Sequence, residues 1–101
     1  MRLLLFFDLP TVTNTERSIA ARFRRDIIKE GFLMLQESVY CKLLLNETVF
    51  LGLRKRLEKI KPKAGNIMLL KITEKQFNSI EMLIGERQNK VINSTERLTI
   101  L

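Results

Sequence analysis

GFLMLQESVYCKLLLN, residues 31–46, decides the fold. It holds two apolar runs, FLMLQ at 32–36 and SVYCKLLL at 38–45, with almost no chain between them. The second opens with β-branched and aromatic residues, which strands favour. So short a link lets two strands pair only as an antiparallel hairpin. Gly31 stands where a preceding helix would end, and Asn46 where a following helix would begin. The stretch therefore predicts a central hairpin with a helix on either side.

Upstream, TNTERSIAARFRRDIIKEG at 13–31 changes period. Thr13 and Glu16 have capping-box spacing, so a helix should begin near Asn14. Ile19, Ala20, Phe23 and Ile27 fall on one of its faces. Before it, residues 2–8 read as a strand that Pro10 stops. Downstream, Asn46 caps a helix whose buried stripe is Val49, Phe50, Leu53, Leu57 and Ile60, ended by Pro62 and Gly65. NIMLLKIT at 66–73 is a fourth strand. Thr73 and Gln76 repeat the capping-box spacing and open a short helix, with Phe77, Ile80 and Leu83 inward and Gly85 at its close. Residues 86–96 read as polar loop, and RLTIL at 97–101 as a last short strand.

The order β-α-β-β-α-β defines an α+β, ferredoxin-like domain with an extra short helix and a C-terminal strand. The expectation is one domain over 1–101, with a core at 1–84 and a C-terminal extension at 85–101. Two helices would cover one face of the sheet. The other face carries too much Leu and Phe to stay wet, and a patch of that size calls for a partner. A homodimer packed through its sheets is expected, with Arg97–Leu101 pairing at the dimer edge.

Composition narrows the chemistry. The chain has no histidine, which removes Ser–His and Cys–His couples and His-ligated zinc. Its single cysteine, Cys41, lies in an apolar strand and reads as a small core residue. With 18 Lys and Arg against 11 Asp and Glu, the net charge is +7, which suggests a polyanionic partner. No apolar run is long enough to span a membrane. The N-terminal apolar run is short, is broken by Asp8 and Pro10, and does not read as a signal peptide. The expected location is cytoplasmic.

Two features carry candidate chemistry. Asp8 follows directly on LLLFF, and a carboxylate against a core needs water, a partner or a cation. On the first helix Arg22, Arg25 and Lys29 lie opposite the apolar stripe, with Arg17 and Arg24 flanking it. The second helix adds Arg54, Lys55, Arg56 and Lys59, with Lys61 and Lys63 beyond. Such rows grip phosphates without reading sequence.

LLLFFDLPT, FRRDIIKEGFLMLQESVYCK and the Thr73–Gln76 helix start carry a family resemblance. Gly31, Gln36, Ser38, Val39 and Tyr40 hold its characteristic places. The chain resembles the small, non-integrase subunit of the CRISPR spacer-acquisition complex, a CRISPR-associated endoribonuclease family, in the form that accompanies type II systems. The resemblance implies a ferredoxin-like homodimer whose Asp8 residues face each other across the two-fold axis. It implies binding of duplex DNA while bridging two integrase dimers. It also implies metal-dependent cleavage of single-stranded RNA or duplex DNA in some members, with Asp8 as catalytic residue and ligand of Mg²⁺ or Mn²⁺. Mg²⁺ takes oxygen ligands and needs only one or two carboxylates, which two Asp8 side chains could supply.

An RNA-recognition module shares this strand order and would stack bases on Phe6 and Phe7. Its strand-three signature is missing from SVYCKLLL. A ligand-sensing regulatory domain of the same topology would want a Gly-rich phosphate loop, which the chain lacks.

Overall fold

The computed structural model describes residues 1–85. The elements are β1 (Arg2–Asp8), α1 (Asn14–Lys29), β2 (Leu33–Gln36), β3 (Val39–Leu43), α2 (Glu47–Ile60), β4 (Asn66–Ile72) and α3 (Glu74–Asn78). The strands form one four-stranded antiparallel sheet in the order β2-β3-β1-β4. This is the α+β, ferredoxin-like arrangement that the central hairpin announced. The loop expected over 86–96 and the strand expected over 97–101 lie outside the described residues.

Helix starts follow side-chain chemistry. Thr13 Oγ1 accepts the Glu16 amide at 3.0 Å, and the Glu16 carboxylate accepts the Thr13 amide at 3.0 Å. Thr73 and Gln76 repeat this exchange, and Asn46 Oδ1 accepts the Val49 amide at 2.9 Å. These bonds satisfy backbone donors that the first helical turn leaves open. After α1 the chain turns through Gly31 at φ +99, and the Lys42 ammonium fills the space a Cβ would need.

Strand alternation divides β1 between two environments. Leu3, Leu5 and Phe7 face α1 and α2 and join Phe23, Ile27, Tyr40, Phe50, Leu53 and Leu57 in the main core. Phe7 meets Phe23 edge-on at 5.4 Å and stacks on Tyr40 at 5.8 Å. Arg2, Leu4, Phe6 and Asp8 alternate with these and face the other way. On that side α3 lays Phe77 against Leu4 and Cys41. Cys41 is fully buried there, as expected of a small core residue.

This corrects one expectation. The second face of the sheet is not left wholly open, because α3 covers the Arg2 end of it. Arg2 is 0 % exposed, donates to both Glu74 carboxylate oxygens at 3.1 and 2.8 Å, and stacks over the Phe77 ring at 4.1 Å. Burial declines along the row from Arg2 through Leu4 and Phe6 to the exposed Asp8. The most exposed apolar side chains of that face lie on β4, where Met68 is 63 % and Leu70 49 % exposed, opposite Phe6 and Leu4.

Three apolar residues expected inside are not. Ile19 and Val49 lie at the flanks of their helical stripes, away from the centres at Phe23/Ile27 and Leu53/Leu57, and stay exposed. Leu83 is 98 % exposed because α3 ends at Asn78, well before Gly85. Among the described residues, no helix is long and apolar enough to cross a membrane.

Candidate nucleic-acid interface and acidic strand end

Asp8 is the last residue of β1, exposed, and directly opposite Asn66, the first residue of β4. Gly65 lies against this strand end. A Cβ there would sit 2.7 Å from the Asp8 carbonyl oxygen and 2.7 Å from Leu9 Cδ2, at a φ of +100. The α2–β4 loop is thus pressed against the backbone that carries the carboxylate. The sequence marked Gly65 only as a helix terminator and gave Asn66 no role, because cross-strand register cannot be read from composition. Gly65→Ala should destabilise the fold by about 2 kcal/mol, from left-handed strain and the contact with Asp8. Urea unfolding measures this, and an unchanged midpoint would contradict the close approach.

Asp8 and Asn66 offer oxygen donors, which suit a hard divalent cation. Among the described residues no three His, Cys, Asp or Glu side chains gather into a metal-binding group.

The cations sort into those with partners and those without. Arg17 donates to the Thr11 and Val12 carbonyls at 3.0 and 2.8 Å and to Asn14 Oδ1, so it braces the β1–α1 loop. Arg56 pairs with Glu30 at 2.8 Å and ties α2 to α1. Arg54 and Lys61 share Glu58, at 3.7 and 2.8 Å. The hydrogen bond and charge of Lys61, with a smaller pull from Arg54, hold the Glu58 carboxyl below the usual carboxylate range. Arg22, Arg24, Arg25, Lys29, Lys55, Lys59 and Lys63 form no ion pair among the described residues.

Geometry sorts this second group again. Arg25 and Lys29 are one turn apart on the exposed back of α1, and Lys55 is exposed on α2. Arg24 is exposed on the flank of α1. Arg22 does not belong wholly to the outer row, because it turns to line a groove with Ile19 and Asp26, and Lys59 lines the same groove from α2. Phe7 is buried against the helices, so the base-stacking surface expected of an RNA-recognition module loses one of its two aromatics.

Together the fold and these surfaces define a basic ferredoxin-like domain with an acidic strand end. The chain belongs to the family described as CRISPR associated protein Cas2, whose model matches residues 1–80. It is 48% identical over 101 residues to a protein of Streptococcus mutans serotype c, covering 100% of this chain and 93% of that protein. It is 45% identical to one of Treponema denticola and 42% identical to one of Ligilactobacillus salivarius, each over 101 residues covering 100% of both chains. All three relatives are named "CRISPR-associated endoribonuclease Cas2".

Proposed function

We propose that this Cas2-family chain acts in CRISPR adaptation as a homodimer that holds duplex DNA and bridges integrase dimers. The observation that carries this reading is the set of exposed cations without ion-pair partners, Arg24, Arg25, Lys29 and Lys55, on the helix layer. Unpaired cations on a solvated surface lose little when they meet phosphates and release counterions in doing so. On the opposite side Met68, Leu70 and Phe6 give a second copy an apolar face to cover. Pairing through that face brings two Asp8 ends toward one axis and turns both basic layers outward. The charge doubles from +7 to +14 over one continuous body.

The relatives' names, endoribonuclease, favour a second activity on the same dimer, cleavage of RNA, for which we propose a metal-dependent route. Paired Asp8 carboxylates would hold Mg²⁺ or Mn²⁺, with the Asn66 amides beside them. A divalent cation there supplies Lewis acidity and an activated water. The chain itself supplies the oxygen donors at the axis and the cations that hold the strand.

Sedimentation tests the dimer and a duplex titration tests the grip. At micromolar concentration the protein should sediment at twice its 11.9 kDa chain mass, and it should bind duplex in a salt-dependent way. A lone chain that ignores duplex in dilute buffer would refute the proposal. Asp8→Asn separates the two activities: cleavage should be lost while duplex affinity changes by less than about twofold. Cleavage surviving in that variant would remove Asp8 from the chemistry.

A further inference from the structure

Between α1, the end of α2 and the loop that follows lies a groove of about 430 Å³ that neither surface above uses. Its floor is aliphatic, formed by Leu9, Pro10, Ile19, Ile60 and Pro62. One wall is the cationic run Lys59, Lys61 and Lys63, and the other carries Arg22 with Glu16 and Asp26. Several of these charges are already engaged. Glu16 accepts the Val12 and Thr13 amides, and Lys61 is held by Glu58. Arg22, Lys59 and Lys63 have no ion-pair partner among the described residues.

Ile19 supplies the second observation. Its helical phase belongs to the apolar stripe of α1, yet it stands 45 % exposed where it lines this groove. The lining holds Arg22, Lys59, Lys61 and Lys63 against Glu16 and Asp26, so an isoleucine half in water beside an excess of cations suits a ligand that brings both aliphatic surface and negative charge. A nucleic-acid base is a poor candidate, because single-strand sites stack bases on aromatic faces. The aromatic residue in the lining, Phe23, is 2 % exposed and has no ring face to offer. Aliphatic side chains of a polypeptide match the floor, and carboxylates flanking them match the rim.

We infer that this groove docks a short acidic segment of another protein, its aliphatic side chains between α1 and α2 and its carboxylates on Arg22, Lys59 and Lys63. The inference needs neither the Asp8 site nor the outer row of cations. Arg22 and Lys59 thereby leave the phosphate-gripping set and become docking residues.

The probe is a synthetic dodecapeptide of alternating Glu pairs and Leu/Ile pairs, titrated into ¹⁵N-labelled full chain and followed by NMR. Binding should saturate, with shifts concentrated at Ile19, Arg22, Lys59, Ile60 and Lys63. Ile19→Glu and Lys63→Glu should each weaken it about tenfold or more, while the uncharged Ile19→Gln leaves duplex affinity within about twofold of the parent. Ile19→Gln gives a milder variant at the same position, and the spectra themselves report whether each variant folds. The peptide with Lys in place of Glu should not bind. No saturation by about 1 mM, the weak end of specific binding, would overturn the inference, as would variants that bind like the parent. So would competition by a duplex for the same amides, which would make the groove a nucleic-acid site. Concentration-dependent shifts of those amides without peptide would make it a self-interface and overturn it equally.

Discussion

Phe77→Ala is expected to cost about 4 kcal/mol of folding stability, read as a lowered urea midpoint by circular dichroism. The ring is 0 % exposed and packs against Leu4 and Cys41. Truncating it removes that burial and opens a cavity, which for buried aromatics costs about 3–5 kcal/mol. Two further effects place the estimate above the low end. The ring loses its contact with the Arg2 guanidinium at 4.1 Å, worth about 1 kcal/mol. It also anchors a five-residue helix that cannot persist in water alone. When α3 lets go, Glu74 leaves Arg2 and their ion pair at 2.8 Å is lost. Phe77→Leu keeps most of the volume and should cost about 1.5 kcal/mol. Duplex binding by either variant under native conditions should match the parent, because α1 and α2 lie on the other face of the sheet. A loss below about 1 kcal/mol for the alanine variant would mean that α3 is not docked there.

The role of α3 also shows where sequence stops informing structure. Its start was readable, because Thr73 and Gln76 satisfy backbone donors within one turn and need no distant partner. Its end was not, since nothing local tells Asn78 from Gly85 as a stopping point. Its landing place was not readable either, because that depends on Arg2, 72 residues away, sharing a face with Leu4. The hairpin, the helix starts and the order of elements along the chain follow from local signals: two runs with almost no link, two capping boxes, one Asn cap and one Gly exit. Register does not follow from them, and register puts Asn66 opposite Asp8. The basic residues were visible as a set. Their sorting depended on Glu30 and Glu58, whose positions in space decide which cations are already occupied. Arg17 and Arg56 counted with Arg25 among the candidate phosphate contacts and are spent on a loop and on a helix pair. Ile19 looked equal to Phe23 and stands in water.

That sorting makes the nucleic-acid interface testable by contrast. Arg25→Gln with Lys29→Gln should weaken duplex binding on the order of 100-fold near 0.1 M salt, equally for unrelated sequences. The slope of log affinity against log salt should flatten by about 2 for each chain in contact, one unit for each phosphate contact removed. Arg17→Gln, with the same nominal charge change per residue, should alter affinity less than about threefold, because its guanidinium is bonded to Thr11, Val12 and Asn14. Arg56→Gln should behave like Arg17→Gln and additionally free Glu30, since the bridge at 2.8 Å is broken. That exposed pair contributes at most about 1 kcal/mol, so the fold survives and the comparison stays clean. Fluorescence anisotropy with a labelled duplex over a salt series measures all four substitutions. Diffuse attraction to a +7 chain predicts equal losses for every cation removed, whatever its position. A built interface predicts that the outer pair matters and the engaged residues do not. Equal losses across the set would reduce the helix layer to unspecific charge. A loss confined to Arg25 and Lys29 would assign the phosphate grip to the exposed back of α1.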